Sequence, residues 1–267
     1  MKLNSTRAQR AQDSQKKISQ RRFTTPREML DNCLEKCPGP YECPYGGVLI
    51  FESSPTEQPI PIVCPRYQSW LKQVELEHKL REIVPDNLAD KSFENFMIRS
   101  ASSGEALKLM KKYVKARAWE QGANILITGP YGAGKTHLAI ATIRKAIEVG
   151  DTAALVLAVD LLHGGFQAID ERFEALRGVD LLVIDDLTTE FENKYFLQRA
   201  FELIEHRYRQ KRGTVFTTNL PMRDFMNALG SKMFSRLYES LLTIEIKDVD
   251  DYRKTLRDKN LEWLKEE

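Results

Sequence analysis

The stretch Gly129-Pro130-Tyr131-Gly132-Ala133-Gly134-Lys135-Thr136 constrains this chain more than any other. It matches G-x-x-x-x-G-K-[ST], the phosphate-binding P-loop. Before it, Ile125-Leu126-Ile127-Thr128 is a short apolar run of the kind a buried parallel strand shows. After it, His137 to Val149 keeps Leu138, Ala141, Ile143, Ala146 and Ile147 near one face, which predicts an amphipathic helix. Strand, glycine-rich turn and helix are the setting this motif requires. Successive backbone N–H groups wrap the phosphates, and the helix N-terminus adds its positive dipole end. The expected loop runs from Gly129, Pro130, Tyr131, Gly132, Ala133 and Gly134 to His137. Within it Lys135 reaches the β- and γ-phosphates of ATP, and Thr136 holds Mg²⁺. A glycine-rich turn that binds nothing is the alternative.

Further along, Leu181-Leu182-Val183-Ile184-Asp185-Asp186 is four apolar residues followed by acids, the Walker B pattern. A buried strand would deliver these carboxylates at its C-terminal end. Asp185 would orient Mg²⁺, and Asp186 would polarise the attacking water or tune the metal site together with Asp185. Thr214-Val215-Phe216-Thr217-Thr218-Asn219 predicts another strand with a polar tip. There the Asn219 amide could read a γ-phosphate, or simply form a turn before Pro221. Ala153 to Val159 and Leu242 to Ile246 predict two more strands. Helices are expected over 161–176, broken by Gly164-Gly165, and over 193–210, 231–241 and from Asp251. Strands alternating with helices give an α/β fold with a parallel, five-stranded sheet.

A chain of 267 residues suggests one large domain, or a medium one with a small one attached. The net charge is only +2, so affinity for nucleic acid would have to come from local patches. No apolar run is long enough for a transmembrane helix, and the first 22 residues lack the apolar region of a secretory signal. The chain is therefore expected to be cytoplasmic, with no membrane partner. Residues 1–24 read as a basic polar tail, with Lys2, Arg7, Arg10, Lys16, Lys17, Arg21 and Arg22 against Asp13. All four cysteines, Cys33, Cys37, Cys43 and Cys64, fall in the next segment, and three of them precede a proline. Four thiolates suit a closed, tetrahedral structural Zn²⁺ site; unliganded thiols are the alternative. Residues 66–84 read as a charged helix broken by Pro85, another helix is expected over 104–120, and the domain boundary is expected near residue 85.

Taken together, the P-loop, Walker B, the Thr-Thr-Asn strand end, Ser235-Arg236-Leu237 and Tyr252-Arg253 resemble the AAA+ ATPases. More narrowly the chain resembles the bacterial replicative helicase loaders of the DnaC/DnaI type, relatives of the initiator DnaA and the transposition helper IstB. Ser92-Phe93-Glu94-Asn95-Phe96 is similar to that group's approach to the P-loop. Cys37-Pro38-Gly39 and Cys64-Pro65 look like the zinc domain of the DnaI-type loader. The resemblance implies an AAA+ core at 85–267 behind a zinc-binding, helicase-interacting domain at 25–84. It implies that Asn219 is sensor 1, that Arg236 is an arginine finger acting in trans, and that Arg253 is sensor 2 acting in cis. A trans finger implies self-assembly into an ATP-dependent oligomer. Residues 161–178 would line a path for single-stranded DNA, with Phe166 and Arg172 as candidate contacts. The implied partner is the hexameric replicative helicase, and the implied alternatives are a transposition helper or an adaptor that binds ATP with little turnover. Asp185-Asp186 departs from the commoner Asp-Glu pair, and the shorter carboxylate implies slow hydrolysis. The first cysteine pair also departs from C-x₂-C.

Overall fold

The apolar runs that end in polar residues become the strands of one sheet in a computed structural model of the chain. The structure describes residues 23–52, 58–188, 190–252, 254 and 257. The basic stretch 1–22 and Arg253 lie outside the described residues, as does most of the expected C-terminal helix. The chain divides into two compact units, residues 1–77 and 78–267.

The larger unit holds five strands: β3 (Asn124–Thr128), β4 (Ala153–Leu157), β5 (Leu181–Asp185), β6 (Thr214–Thr218) and β7 (Leu241–Glu245). Their order is β4-β5-β6-β3-β7, and every pairing is parallel. β3, β5 and β6 lie in the middle and are buried throughout, which is why the centres of β3 and β5 read as continuous apolar runs rather than alternating ones. Alternation persists in where their side chains go. Ile125, Ile127, Leu181 and Val183 pack on one face, against α3 (Ala101–Lys115) and α4 (Lys135–Glu148). Leu126, Leu182, Ile184 and Phe216 pack on the other. That face is covered by α5 (Phe166–Ala175), α6 (Lys194–Arg209), α7 (Met222–Leu229) and α8 (Ser231–Tyr238). Each fully buried aliphatic side chain contributes roughly 1.5–3 kcal/mol.

Local chemistry sets several boundaries. The helix expected over 104–120 stops at Lys115, because Arg117 and Gly122 take left-handed backbone angles around a 3₁₀ turn at Ala118–Gln121. The helical segment expected over 161–176 breaks at Gly164-Gly165 as the glycines predict, but the part before the break is a 3₁₀ turn at Ala158–Leu162, with α5 following it. The fully buried Arg207 on α6 ties this layer together. Its guanidinium donates to the carbonyls of Leu176, Val179, Asp180 and Gly213 and to Thr214 Oγ1. Burial in this carbonyl cage lowers its pKa to about 10.

In the smaller unit, α1 (Pro26–Glu35) starts at Thr25, whose side chain accepts from Glu28 N. β1 (Val48–Phe51) and β2 (Ile60–Val63) pair antiparallel. Among the described residues the buried core here is Met29, Leu49 and Phe51, with Phe23, Leu30, Tyr45 and Ile62 packed partly buried against it. The long helix α2 (Pro65–Ile83) begins after β2 and ends before Pro85, and the division between the units falls within it. Helices are disfavoured at the residue preceding a proline.

Candidate nucleotide site

The central strands β3, β5 and β6 end side by side, and the polar groups at those ends meet. Gly129, Gly132 and Gly134 have φ of 151, 68 and 97°, backbone that side chains strain to adopt. The loop also has no room for them: a Cβ on Gly129 would lie 2.5 Å from Ile246 O, and one on Gly134 would lie 2.7 Å from the Phe96 ring. The glycines are thus fixed by close packing as well as by the turn. Tyr131 is exposed at the loop's tip.

Lys135 begins α4 and is buried. Its ammonium donates to Gly129 O and Pro130 O, both at 2.9 Å, and to Asn219 Oδ1 at 2.5 Å. Asn219 Nδ2 donates in turn to Asp186 Oδ1 at 3.0 Å. Next to this set, Thr136 Oγ1 lies 3.0 Å from both oxygens of Asp185. Thr217 Oγ1 donates to Asp185 Oδ1 at 2.5 Å and accepts from Asp186 N at 2.9 Å. Asp186 itself is left-handed, with φ of 55°. Burial pushes the Asp185 carboxyl above the ordinary aspartate value, the Asp186 charge pushes the same way, and the Thr217 and Thr136 hydroxyls oppose them. A buried carboxylate with a hydroxyl at its side supplies oxygen donors suited to a hard divalent cation.

Lys135, Thr136, Asp185, Asp186 and Asn219 are therefore brought together. His137 turns elsewhere: its Nε2 lies 2.7 Å from Ser92 O, and its ring meets Phe96 edge-on at 5.2 Å. Burial holds its imidazole pKa below the usual value. Arg236 on α8 is not in this set either. Its Nε donates to Glu205 Oε2 at 3.0 Å, and its guanidinium lies over the Tyr208 ring. Phe166 is exposed and packs edge-on against Tyr195, while Arg172 donates to His163 O. Two participants were not foreseen. Thr217 had a signal, as one of three threonines in the fully buried strand β6. Arg99, which donates to Gly132 O, had none, because the two are far apart in sequence.

The expected four-thiolate zinc site is not formed. Among the described residues no three His, Cys, Asp or Glu side chains converge tightly enough to hold a metal ion. Cys64 is buried, and Cys33, Cys37 and Cys43 are half-buried free thiols. They are still electrostatic neighbours: burial first, then Cys64, Cys37 and Cys43, push the Cys33 thiol up to about 11. Cys33 lies within α1 and Cys37 beyond its end, so the two are not held on one helical face.

A parallel sheet with a P-loop after β3 and paired aspartates at the end of β5, with β6 between the two strands, defines a P-loop ATP-binding protein with an AAA+ core. Residues 62–259 match the family of IstB-like ATP binding proteins, and the chain belongs to that family. It is 32% identical over 177 residues to the replicative helicase loader DnaC of Buchnera aphidicola subsp. Schizaphis graminum, covering 62% of this chain and 70% of that protein. The crystal structure of the DnaC helicase loader shares the fold, with a TM-score of 0.56 and 24% identity over 61% of this chain and 99% of that one. The structure of DnaI does so with a TM-score of 0.56 and 18% identity, over 65% and 99% of the two chains. Among the described residues no helix is long and apolar enough to cross a membrane.

Proposed function

We propose that this chain is a cytoplasmic, ATP-dependent loader of a hexameric replicative helicase. The observation that supports it best is the hydrogen-bonded set Lys135–Asn219–Asp186 beside Thr136–Asp185–Thr217, together with the chain's similarity to DnaC. Lys135 takes the β- and γ-phosphates of ATP by exchanging loop carbonyls for phosphate oxygens. Thr136 and Asp185 hold Mg²⁺, which supplies charge neutralisation for phosphoryl transfer. Asn219 and Asp186 lie where a water facing the γ-phosphate would be held. Asp186 is one methylene shorter than glutamate, so turnover is slow.

Arg236 acts on a neighbouring subunit's nucleotide, leaving Glu205 when subunits assemble, and Arg253 acts on its own. Residues 161–178, with Phe166 and Arg172, face single-stranded DNA. The unit carrying the cysteines grips the helicase. ATP then works as a switch whose γ-phosphate joins two subunits and whose loss separates them.

The test is capture of the same host's replicative helicase by the full chain, with ATP. Helicase retained by the parent and by Lys135→Ala, but released from the parent alone on addition of single-stranded DNA, is the expected result. No capture of helicase, with duplex DNA retained instead, would replace the loader reading with that of a transposition helper.

A further inference from the structure

We infer that Arg99 is a positioning residue of the nucleotide loop, orienting the Gly132–Ala133 peptide toward phosphate and linking it to residues 250–252. The inference rests on the reading of residues 129–136 as a triphosphate cradle.

Arg99 comes just before α3, and its place is fixed. Ser100 and Ser103 cap that helix reciprocally, and Arg99 N donates to Ser103 Oγ at 3.0 Å. Ser102 Oγ donates to Lys247 O and lies equally close to Lys247 N, both at 2.8 Å. Ile246 N donates to Thr128 O at 2.9 Å. The start of α3, the end of β3 and the chain after β7 are thereby pinned to one another. From this base the Arg99 guanidinium donates to Gly132 O with Nη2 and to Asp250 O with Nη1, the latter at 2.6 Å. It also lies 5.2 Å from the centre of the Tyr252 ring. Gly132 touches the same segment directly: a Cβ there would sit 1.9 Å from Asp251 Oδ1 and 2.7 Å from Tyr252 N.

Gly132 C=O and Ala133 N–H are the two ends of one peptide plane. The oxygen end is held by a charged donor, among the stronger kinds of hydrogen bond. The N–H end has only a long bond, 3.3 Å, to Pro130 O. Such a plane is set in direction, and its N–H is easily transferred to a better acceptor such as a phosphate oxygen. Because the same guanidinium holds Asp250 O, phosphate in the loop and the position of residues 250–252 are coupled. Lysine keeps the charge but has no planar fork to bridge two carbonyls, so Arg99→Lys separates bridging from charge.

The test uses full-length parent, Arg99→Lys, Arg99→Ala and Lys135→Ala, titrated with ATP and with ADP, and melted without nucleotide. Arg99→Lys is expected to melt with the parent yet bind both nucleotides about tenfold more weakly, the loss of one charge-assisted hydrogen bond. In the parent, ATP should slow amide exchange across residues 246–252; in Arg99→Lys that slowing should disappear. Arg99→Lys binding both nucleotides as the parent does, or losing affinity only alongside a lowered melting temperature, would overturn the inference. A parent that binds no ATP, or a Lys135→Ala variant that binds it as the parent does, would overturn the reading of the loop instead.

Discussion

The two units of this chain are stabilised on different scales. The larger one sandwiches its sheet between two extended cores, with large side chains such as Trp119, Phe196 and Phe216 buried. Among the described residues the smaller one buries three core side chains, and it leaves Val48, Ile50, Ile60 and Val63 of its β-ribbon partly exposed. The larger unit can therefore afford costly polar groups in its interior: Lys135, Asp185 and Arg207 are all buried there. The smaller one has little in reserve, which is the situation in which small domains use metals or partners. Chemistry that burdens folding resides where packing can carry it.

The sharpest way to break the comparison is Arg207→Met. It would leave four backbone carbonyls and Thr214 without their buried donor, costing roughly 3–5 kcal/mol. Urea unfolding of the larger unit should show this loss, and a loss near zero would mean the carbonyl cage contributes nothing. Next comes Phe51→Ala, at roughly 3–4 kcal/mol. In so small a core that is enough to unfold the smaller unit while ATP binding by the larger one survives. Equal loss of ATP binding in Phe51→Ala would show that the units do not fold independently.

The smallest effect has the opposite sign. Burial raises the Asp185 pKa, so the group's contribution to stability is full below the ordinary aspartate value and is lost as pH rises through its own raised value. Asp185→Asn removes that loss. It should melt at or a few degrees above the parent at neutral pH, with the difference shrinking as pH falls into the carboxylate range, while Mg²⁺-dependent hydrolysis disappears. A variant that melts well below the parent at neutral pH would show that the carboxylate's hydrogen bonds from Thr136 and Thr217 outweigh its burial.

The strands of the larger unit were legible because most are a local pattern, a short run closed by a polar residue; β4, expected to reach Val159, stops at Leu157 because Ala158 already starts a 3₁₀ turn. Asp185, Asp186 and Asn219 stand at or just beyond such closures, and Lys135 and Thr136 close the glycine-rich motif that follows β3. What escaped depends on contacts distant in sequence. Arg207 reads as one more charge at a helix end, yet it is enclosed by carbonyls from two other loops. α7 follows so closely on Asn219 and Pro221 that the segment reads as a turn. In the smaller unit, Ile60-Pro61-Ile62-Val63 carries a proline that argues against a strand, but Pro61 sits on a two-stranded ribbon, where an edge tolerates it. The cysteine spacing gave the right segment and the right neighbours but not a formed metal site.

Asp186 stands where the chain reverses its handedness immediately after β5, its N–H on Thr217 and its carboxylate on Asn219. Short side chains with a nearby oxygen tolerate that backbone far better than longer ones. The identity of this residue is thus a matter of architecture as much as of reactivity. An engineer who lengthened it to hasten the hydrolysis proposed above would be asking one side chain to serve two masters, the proposed reaction and the bend beneath it.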